Sequence, residues 1–247
     1  MNELKIIGRK PVIEAFEAGL PIKKIYLAAG VSGGVIQKIL ACAERKKVRC
    51  TTLNRNALQR MAGPENHQGI IATMDALPAL TLDELIAKAS QRTNPAFALL
   101  DGIEDPRNVG AILRAADGSG IDGVIIPERR SAGLTPGAIK SSAGAAFHVP
   151  VAEVTNLARA IDALKAHNFW IVGTDMAAEH TPWQLDLKMP LAIVLGSEGK
   201  GMRRLVREKC DFLVKLPMLG KVESLNVAAT AAVLFYEIVR QRSKGTE

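Results

Sequence analysis

The chain has 247 residues, enough for one large domain or two modest ones, and either can bury a core. It is 48% hydrophobic and 23% charged, as globular proteins are, and no apolar run approaches the roughly 20 residues needed to span a bilayer. The net charge of +7 favours a polyanionic partner, while an aromatic content of 4% argues against stacking platforms as the main grip on a single strand.

Cys42, Cys50 and Cys210 form no CxxC pair, and Met1 leads into charged residues rather than an apolar core. This is the pattern of a soluble, cytoplasmic protein with reduced thiols and no targeting segment. His67, His148, His167 and His180 have no ligand-like spacing, so no metal is expected, and without a spanning run no membrane is expected as a partner.

In chain order, Pro11 to Gly19 reads as a helix, with Pro in its first turn and Gly past its end. A strand at 23–27, a helix at 35–46, a strand at 48–51, a helix at 55–61 and a strand at 69–74 follow. Residues 1–76 thus form a small α/β domain. Residues 76–80 contain Pro78 and show no periodicity. Thr81 and Glu84 then make a capping box before a helix at 82–89, inside a linker spanning 77–94.

From residue 95 to 247 a second domain is expected. Its strands at 96–100, 124–126, 169–172, 191–195 and 212–216 are continuously apolar, which suggests a parallel sheet buried on both faces. Helices fall at 108–117, 155–166, 202–208 and 225–242. The fold class is α/β, and its ligand site should lie beyond the carboxyl ends of the strands.

Gly118, Gly120 and Gly123 spell GxGxxG, but a helix precedes them and a strand follows. A dinucleotide fingerprint needs the reverse, so the triplet is read as a helix-to-strand turn and an oxidoreductase is set aside. Three other polar, glycine-bearing segments each follow a strand. The first runs from Asp101 through Asn108 to Arg114. The second is Gly196-Ser197-Glu198-Gly199-Lys200-Gly201. The third runs from Leu216 through Met218 to Ser224, Leu225 and Asn226.

In this order the segments resemble the motifs of the SpoU (also called TrmH) family of RNA ribose 2′-O-methyltransferases. Gly8-Arg9, His67-Gln68-Gly69 and the tail from Ser224 to Arg242 resemble the bacterial subgroup that methylates a guanosine of 23S rRNA. The resemblance implies an L30e-like RNA-binding domain followed by a trefoil-knotted catalytic domain, working as a homodimer with its sites close to the subunit interface. It implies S-adenosylmethionine as cofactor, held at Gly196, Leu216 and Leu225 with Thr174 and Met218 nearby. It makes Arg114 the catalytic arginine, surrounded by Asn108, Glu198, Ser224 and Asn226.

Guanidinium loses a proton only above a pKa of about 12, so holding a phosphate and stabilising an alkoxide suits Arg114 better than proton removal. Asn108 and Asn226 both stand where helix caps are expected. Leu216 can equally be core packing, and Glu198 can balance Arg203 and Arg204 at the surface. Arg9, at a helix start, is either a phosphate contact or a solvated arginine. His67 and Gln68 either read RNA or end a loop. The same chemistry on tRNA or another rRNA nucleotide, and a non-catalytic ribosome-binding factor, are the competing functions.

Overall fold

A computed structural model describes residues 3–75 and 80–243 of the chain. The first sheet has the order β1-β4-β2-β3, from β1 (Glu3–Ile7), β2 (Ile22–Ala28), β3 (Arg49–Leu53) and β4 (Ile70–Asp75). β4 runs antiparallel to both neighbours and β2 parallel to β3. Helices α1 (Arg9–Glu17), α2 (Gly34–Arg45) and α3 (Arg55–Ala62) complete this unit. α1 begins at Arg9 rather than Pro11, leaving Pro11 in the first turn, where a missing N–H costs nothing. β1 has no counterpart in the predicted elements, because only Ile6 and Ile7 are fully buried and they alternate with nothing.

The second sheet, order β10-β8-β9-β5-β6-β7, is parallel throughout. Its strands are β5 (Ala96–Asp101), β6 (Gly123–Pro127), β7 (Val151–Val154), β8 (Trp170–Thr174), β9 (Leu191–Gly196) and β10 (Phe212–Val214). Along β5 the side chains alternate between two cores. Ala98 and Leu100 face one with α5 (Pro106–Ser119) and α9 (Val227–Ser243). Phe97 and Leu99 face the other with α4 (Leu82–Ala89) and α7 (Leu157–Ala166). Burial on both faces is why these strands read as unbroken apolar runs.

The capping box is present: Thr81 Oγ1 accepts from Glu84 N–H, and Glu84 Oε2 accepts from Thr81 N–H. Leu85 and Ile86 of α4 are buried in the second core, and Leu80 bridges to Ala152 of β7. Residues 80–89 are therefore packed onto the second sheet. The Pro78 connection lies outside the described residues. α5 closes at Gly120 in a left-handed turn (φ 69°) and β6 starts at Gly123, so the GxGxxG triplet joins a helix to a strand.

Several boundaries differ from expectation, three of them near the polar segments. α5 starts at Pro106 with Asp105 as its cap, so Asn108 is the third residue of the helix, in its first turn, and not its cap. α8 (Arg204–Glu208) begins two residues after 202, and β10 ends at Val214, short of Leu216. β7 and the short helix α6 (Pro136–Ser141) are additional elements.

The two units touch. Lys140 of α6 pairs with Glu65 at 2.8 Å and donates to Asn66 O at 3.2 Å. Glu14 of α1 lies against Gly144, so close that a Cβ there would sit 2.7 Å from Glu14 Oε2.

Candidate active site

β9 ends in Gly196, and the chain then doubles back. Ser197 and Gly201 exchange backbone hydrogen bonds of 3.0 and 2.9 Å, leaving Glu198, Gly199 and Lys200 as an exposed tip. Gly196 is required by contact: a Cβ would lie 2.5 Å from both Gly201 C and Met202 N. This loop walls a cleft of about 480 Å³ beyond the ends of β8, β9 and β10. Thr174, Gly196, Leu216, Met218, Ser224 and Leu225 all line it. Leu216 is half-buried and Leu225 is 40% exposed, so neither is closed inside the core.

A smaller hollow of about 250 Å³ adjoins, lined in part by Gly102, Asn108 and Lys200. Glu198 lines both spaces. Its Oε1 accepts from Asn226 Nδ2 at 2.7 Å, Asn108 Nδ2 at 3.2 Å and Val227 N–H at 3.4 Å. Asn226 Nδ2 also lies 2.9 Å from Asn108 Oδ1, and its Oδ1 accepts from Ala228 N–H at the start of α9. Asn226 is thus a cap and a site residue at once. One carboxylate thereby ties together segments 90 and 28 residues away in sequence.

Asp175 and Arg207 also line the larger cleft, and sequence reasoning did not single them out. Burial alone would raise the Asp175 pKa, but hydrogen bonds from Arg207 and Ala177 N–H hold it below the usual aspartate value. Asp175 directly follows Thr174, a position that could have flagged it. Arg207 is one arginine among several on a charged segment, and nothing in its spacing distinguishes it.

Arg114 is not brought to this cluster. It is exposed on α5, lines neither space, and its side chain makes no hydrogen bond or ion pair among the described residues. Six residues of helix carry it about 240° around the axis from Asn108, onto another face.

In the first unit, Arg9 Nε donates to Gln68 O at 3.0 Å and Arg9 N–H to Gln68 Oε1 at 3.1 Å. Gln68 has a left-handed backbone (φ 51°). His67 is buried, and its Nδ1 accepts from Gly69 N–H at 2.9 Å. Burial, with help from Arg55, pushes its pKa below the ordinary histidine value. Arg9 and Gln68 therefore act as one group, while His67 is a turn-forming residue with one nitrogen engaged. Among the described residues no group of three or more His, Cys, Asp or Glu is arranged to hold a metal, and no helix is long and apolar enough to cross a membrane.

Residues 95–236 match the SpoU rRNA Methylase family, and residues 5–80 match the RNA 2′-O ribose methyltransferase substrate binding family. The chain is 43% identical over 239 residues to YacO of Bacillus subtilis, named as a TrmH family tRNA/rRNA methyltransferase, covering 96% of each protein. It is 44% identical over 245 residues to a similarly named protein of Staphylococcus haemolyticus, covering 98% of this chain and 97% of the other. Among solved structures it resembles the SpoU methyltransferase AviRb from Streptomyces viridochromogenes, with TM-score 0.82, 28% identity, and 98% and 91% of the two chains covered. AviRb has also been solved in complex with AdoMet. With this site at the ends of its parallel strands and these matches along nearly its whole length, the chain belongs to the SpoU (TrmH) family of RNA methyltransferases.

Proposed function

We propose that the protein transfers a methyl group from S-adenosylmethionine to a ribose 2′-hydroxyl of RNA, with a guanosine of 23S rRNA as the receiving nucleotide. The observation that carries this reading is Glu198, held by Asn108 and Asn226 where the two hollows meet, with Oε2 free of hydrogen bonds among the described residues.

The larger cleft has the volume of a nucleoside-sized ligand, and its lining mixes apolar Leu216, Met218 and Leu225 with charged Asp175, Glu198 and Arg207. The residues fit the cofactor, with Gly196, Leu216 and Leu225 holding it through their backbones and Thr174 and Met218 beside it. The bound cofactor supplies an electrophilic sulfonium methyl. Asn108 and Asn226 fix the Glu198 carboxylate, and its free Oε2 accepts the ribose hydroxyl, orienting the nucleophile. Ser224, on the cleft wall, completes the ribose side of the site.

Arg114 stabilises the developing alkoxide and holds the neighbouring phosphate, a role it can fill only if a second copy brings it to the cleft. A homodimer supports this. Leu219 is 98% and Val222 63% exposed beside the cleft, and Tyr236 on α9 is 53% exposed, apolar surface suited to a partner subunit.

Residues 1–76 serve as the L30e-like RNA-binding domain, joined by 77–94 to a catalytic domain of 95–247 whose C-terminal segment threads a trefoil knot. The family matched by residues 5–80 supports RNA binding there, through Arg9 and Gln68 more than the buried His67. Such an enzyme works in the cytoplasm, on rRNA processing.

The test is incubation with labelled S-adenosylmethionine and total RNA from a strain lacking the protein, followed by mapping of the modified nucleotide. A labelled ribose on a 23S guanosine is expected. Label in tRNA, which the relatives' names also mention, would overturn the rRNA assignment, and no transfer to any RNA would favour the ribosome-binding factor.

A further inference from the structure

Asp101 is the last residue of β5, and its side chain is fully buried. Every other residue of that strand is apolar, and an apolar side chain would pack here at no electrostatic cost. The carboxylate is instead satisfied from one place. Oδ2 accepts from the backbone N–H of Arg203 at 2.7 Å, and Oδ1 from Arg203 Nε at 2.5 Å. Charge-assisted bonds to both oxygens fix direction as well as distance.

Arg203 stands just past the turn that carries Glu198. At the near end of that turn, Gly196 is registered opposite Asp101 across the β5–β9 ladder. A Cβ on Gly102, the residue after Asp101, would lie 3.5 Å from Ser197. Both ends of the 196–203 loop are therefore referred to one fixed point at the tip of β5. The Ser197–Gly201 pair closes the turn between them. The only residue of this loop that reaches Asn108 and Asn226 is Glu198.

We infer that Asp101 and Arg203 are a positioning pair, which sets the loop so that Glu198 meets Asn108 and Asn226. The inference rests on the proposed role of Glu198. Neither member touches the reacting groups; the pair acts through the loop. It also explains a buried charge in a strand that could have done without one. A buried ion pair is weak evidence for added stability, and specifying one arrangement of a loop is the use that fits this geometry.

The test is Arg203→Gln, which keeps the backbone bond to Oδ2 and removes the guanidinium. kcat should fall at least about tenfold, with KM for RNA within about twofold of the wild type. Arg203→Lys, which keeps the charge without the planar fork, should fall between the two and serves if Arg203→Gln does not fold. Because the pair works through Glu198, Arg203→Gln should cost little more once Glu198→Gln is present. A role confined to general stability would instead reduce both backgrounds alike. Loop order is read without any activity by tryptic cleavage after Lys200, which should quicken in Arg203→Gln. Unchanged kcat, an additive loss in the double variant, or an unchanged cleavage rate overturns the inference. If the wild type transfers no methyl to RNA, the proposed function fails, and the cleavage rate alone still decides whether the pair orders the loop.

Discussion

Glu198 Oε1 accepts a 2.7 Å hydrogen bond from Asn226 Nδ2, and the same amide caps α9 through its oxygen. The carboxylate and the last helix are thus fixed by one side chain. Glu198→Gln keeps the shape and removes the charge, so it isolates chemistry from architecture. Turnover should drop by about 10–100-fold, or about 1.4–2.8 kcal/mol in barrier, while the melting temperature stays within a few degrees. Full turnover in the variant would show that the cluster only caps a helix.

Gly196 has ordinary backbone angles, so its requirement is steric and not conformational. A methyl group there meets the Gly201 and Met202 backbone at 2.5 Å, and backbone atoms cannot swing aside as side chains do. Gly196→Ala should open the 197–201 turn and weaken S-adenosylmethionine binding by at least about tenfold, roughly 1.4 kcal/mol, measured by calorimetric titration. Binding within twofold of the wild type would mean that the loop does not form the cofactor wall.

Much of this was readable from residues, for a physical reason. Strands such as Ala96–Asp101 and Leu191–Gly196 are buried on both faces and announce themselves as apolar runs. Thr81 and Glu84 announce a helix start by chemistry alone, and Glu198, Asn108 and Asn226 stand in polar segments after such strands. β1 and β7 were missed because edge strands need one buried face and leave a weak pattern. α6 is one and a half turns, too short for a periodic signal. Asn108 was read as a helix start, but Asp105, three residues earlier, also has capping chemistry and is followed by Pro106, and the helix starts there. The family resemblance groups Arg114 with Asn108, but which face of α5 each occupies depends on helix angle and neighbours, and within one chain Arg114 lies outside the cluster.

Lys140 and Glu65 connect the two units through part-buried side chains at 2.8 Å. Reversing either charge places like charges face to face and should lower stability by about 1 kcal/mol, which is 2–4 °C in a chain of this size. The double reversal, Glu65→Lys with Lys140→Glu, should recover most of that loss. Thermal unfolding of the four proteins checks it, and equal losses in single and double variants would show that the pair is not an interaction across the seam.

Cys210 is half-buried, and its thiol contacts Val206 O. Burial, assisted by Asp211, pushes its pKa up to about 12. At pH 8 almost no Cys210 thiolate is present, so iodoacetamide should leave Cys210 intact in the native protein, while Cys50, whose pKa burial also raises but which is exposed, reacts ahead of it. Peptide mapping after alkylation decides, and modification of Cys210 at the rate of Cys50 would contradict the burial argument.

Glu14 offers a pH test of the same seam. One carboxylate oxygen, Oε2, is buried against Gly144 without a hydrogen-bond partner among the described residues. Burial raises the Glu14 pKa and neighbouring Glu17 adds to it, outweighing the opposing pull of Lys10, His148 and Arg114. The sign follows from proton counting. Below about pH 4.3, the ordinary glutamate value, folded and unfolded chains both carry the proton and the residue adds no pH dependence. As pH rises past that value the unfolded chain ionises first, the folded chain holds more protons, and stability falls until the raised folded pKa is passed. Glu14→Gln escapes this loss. Its advantage over the wild type should be smallest near pH 4 and grow to a plateau of about 0.5–1 kcal/mol by pH 7, seen in urea unfolding at each pH. The opposite trend, with the wild type gaining on the variant toward neutral pH, would mean that Lys10, His148 and Arg114 hold the charged form and that Glu14 is an ion-pair partner in the seam.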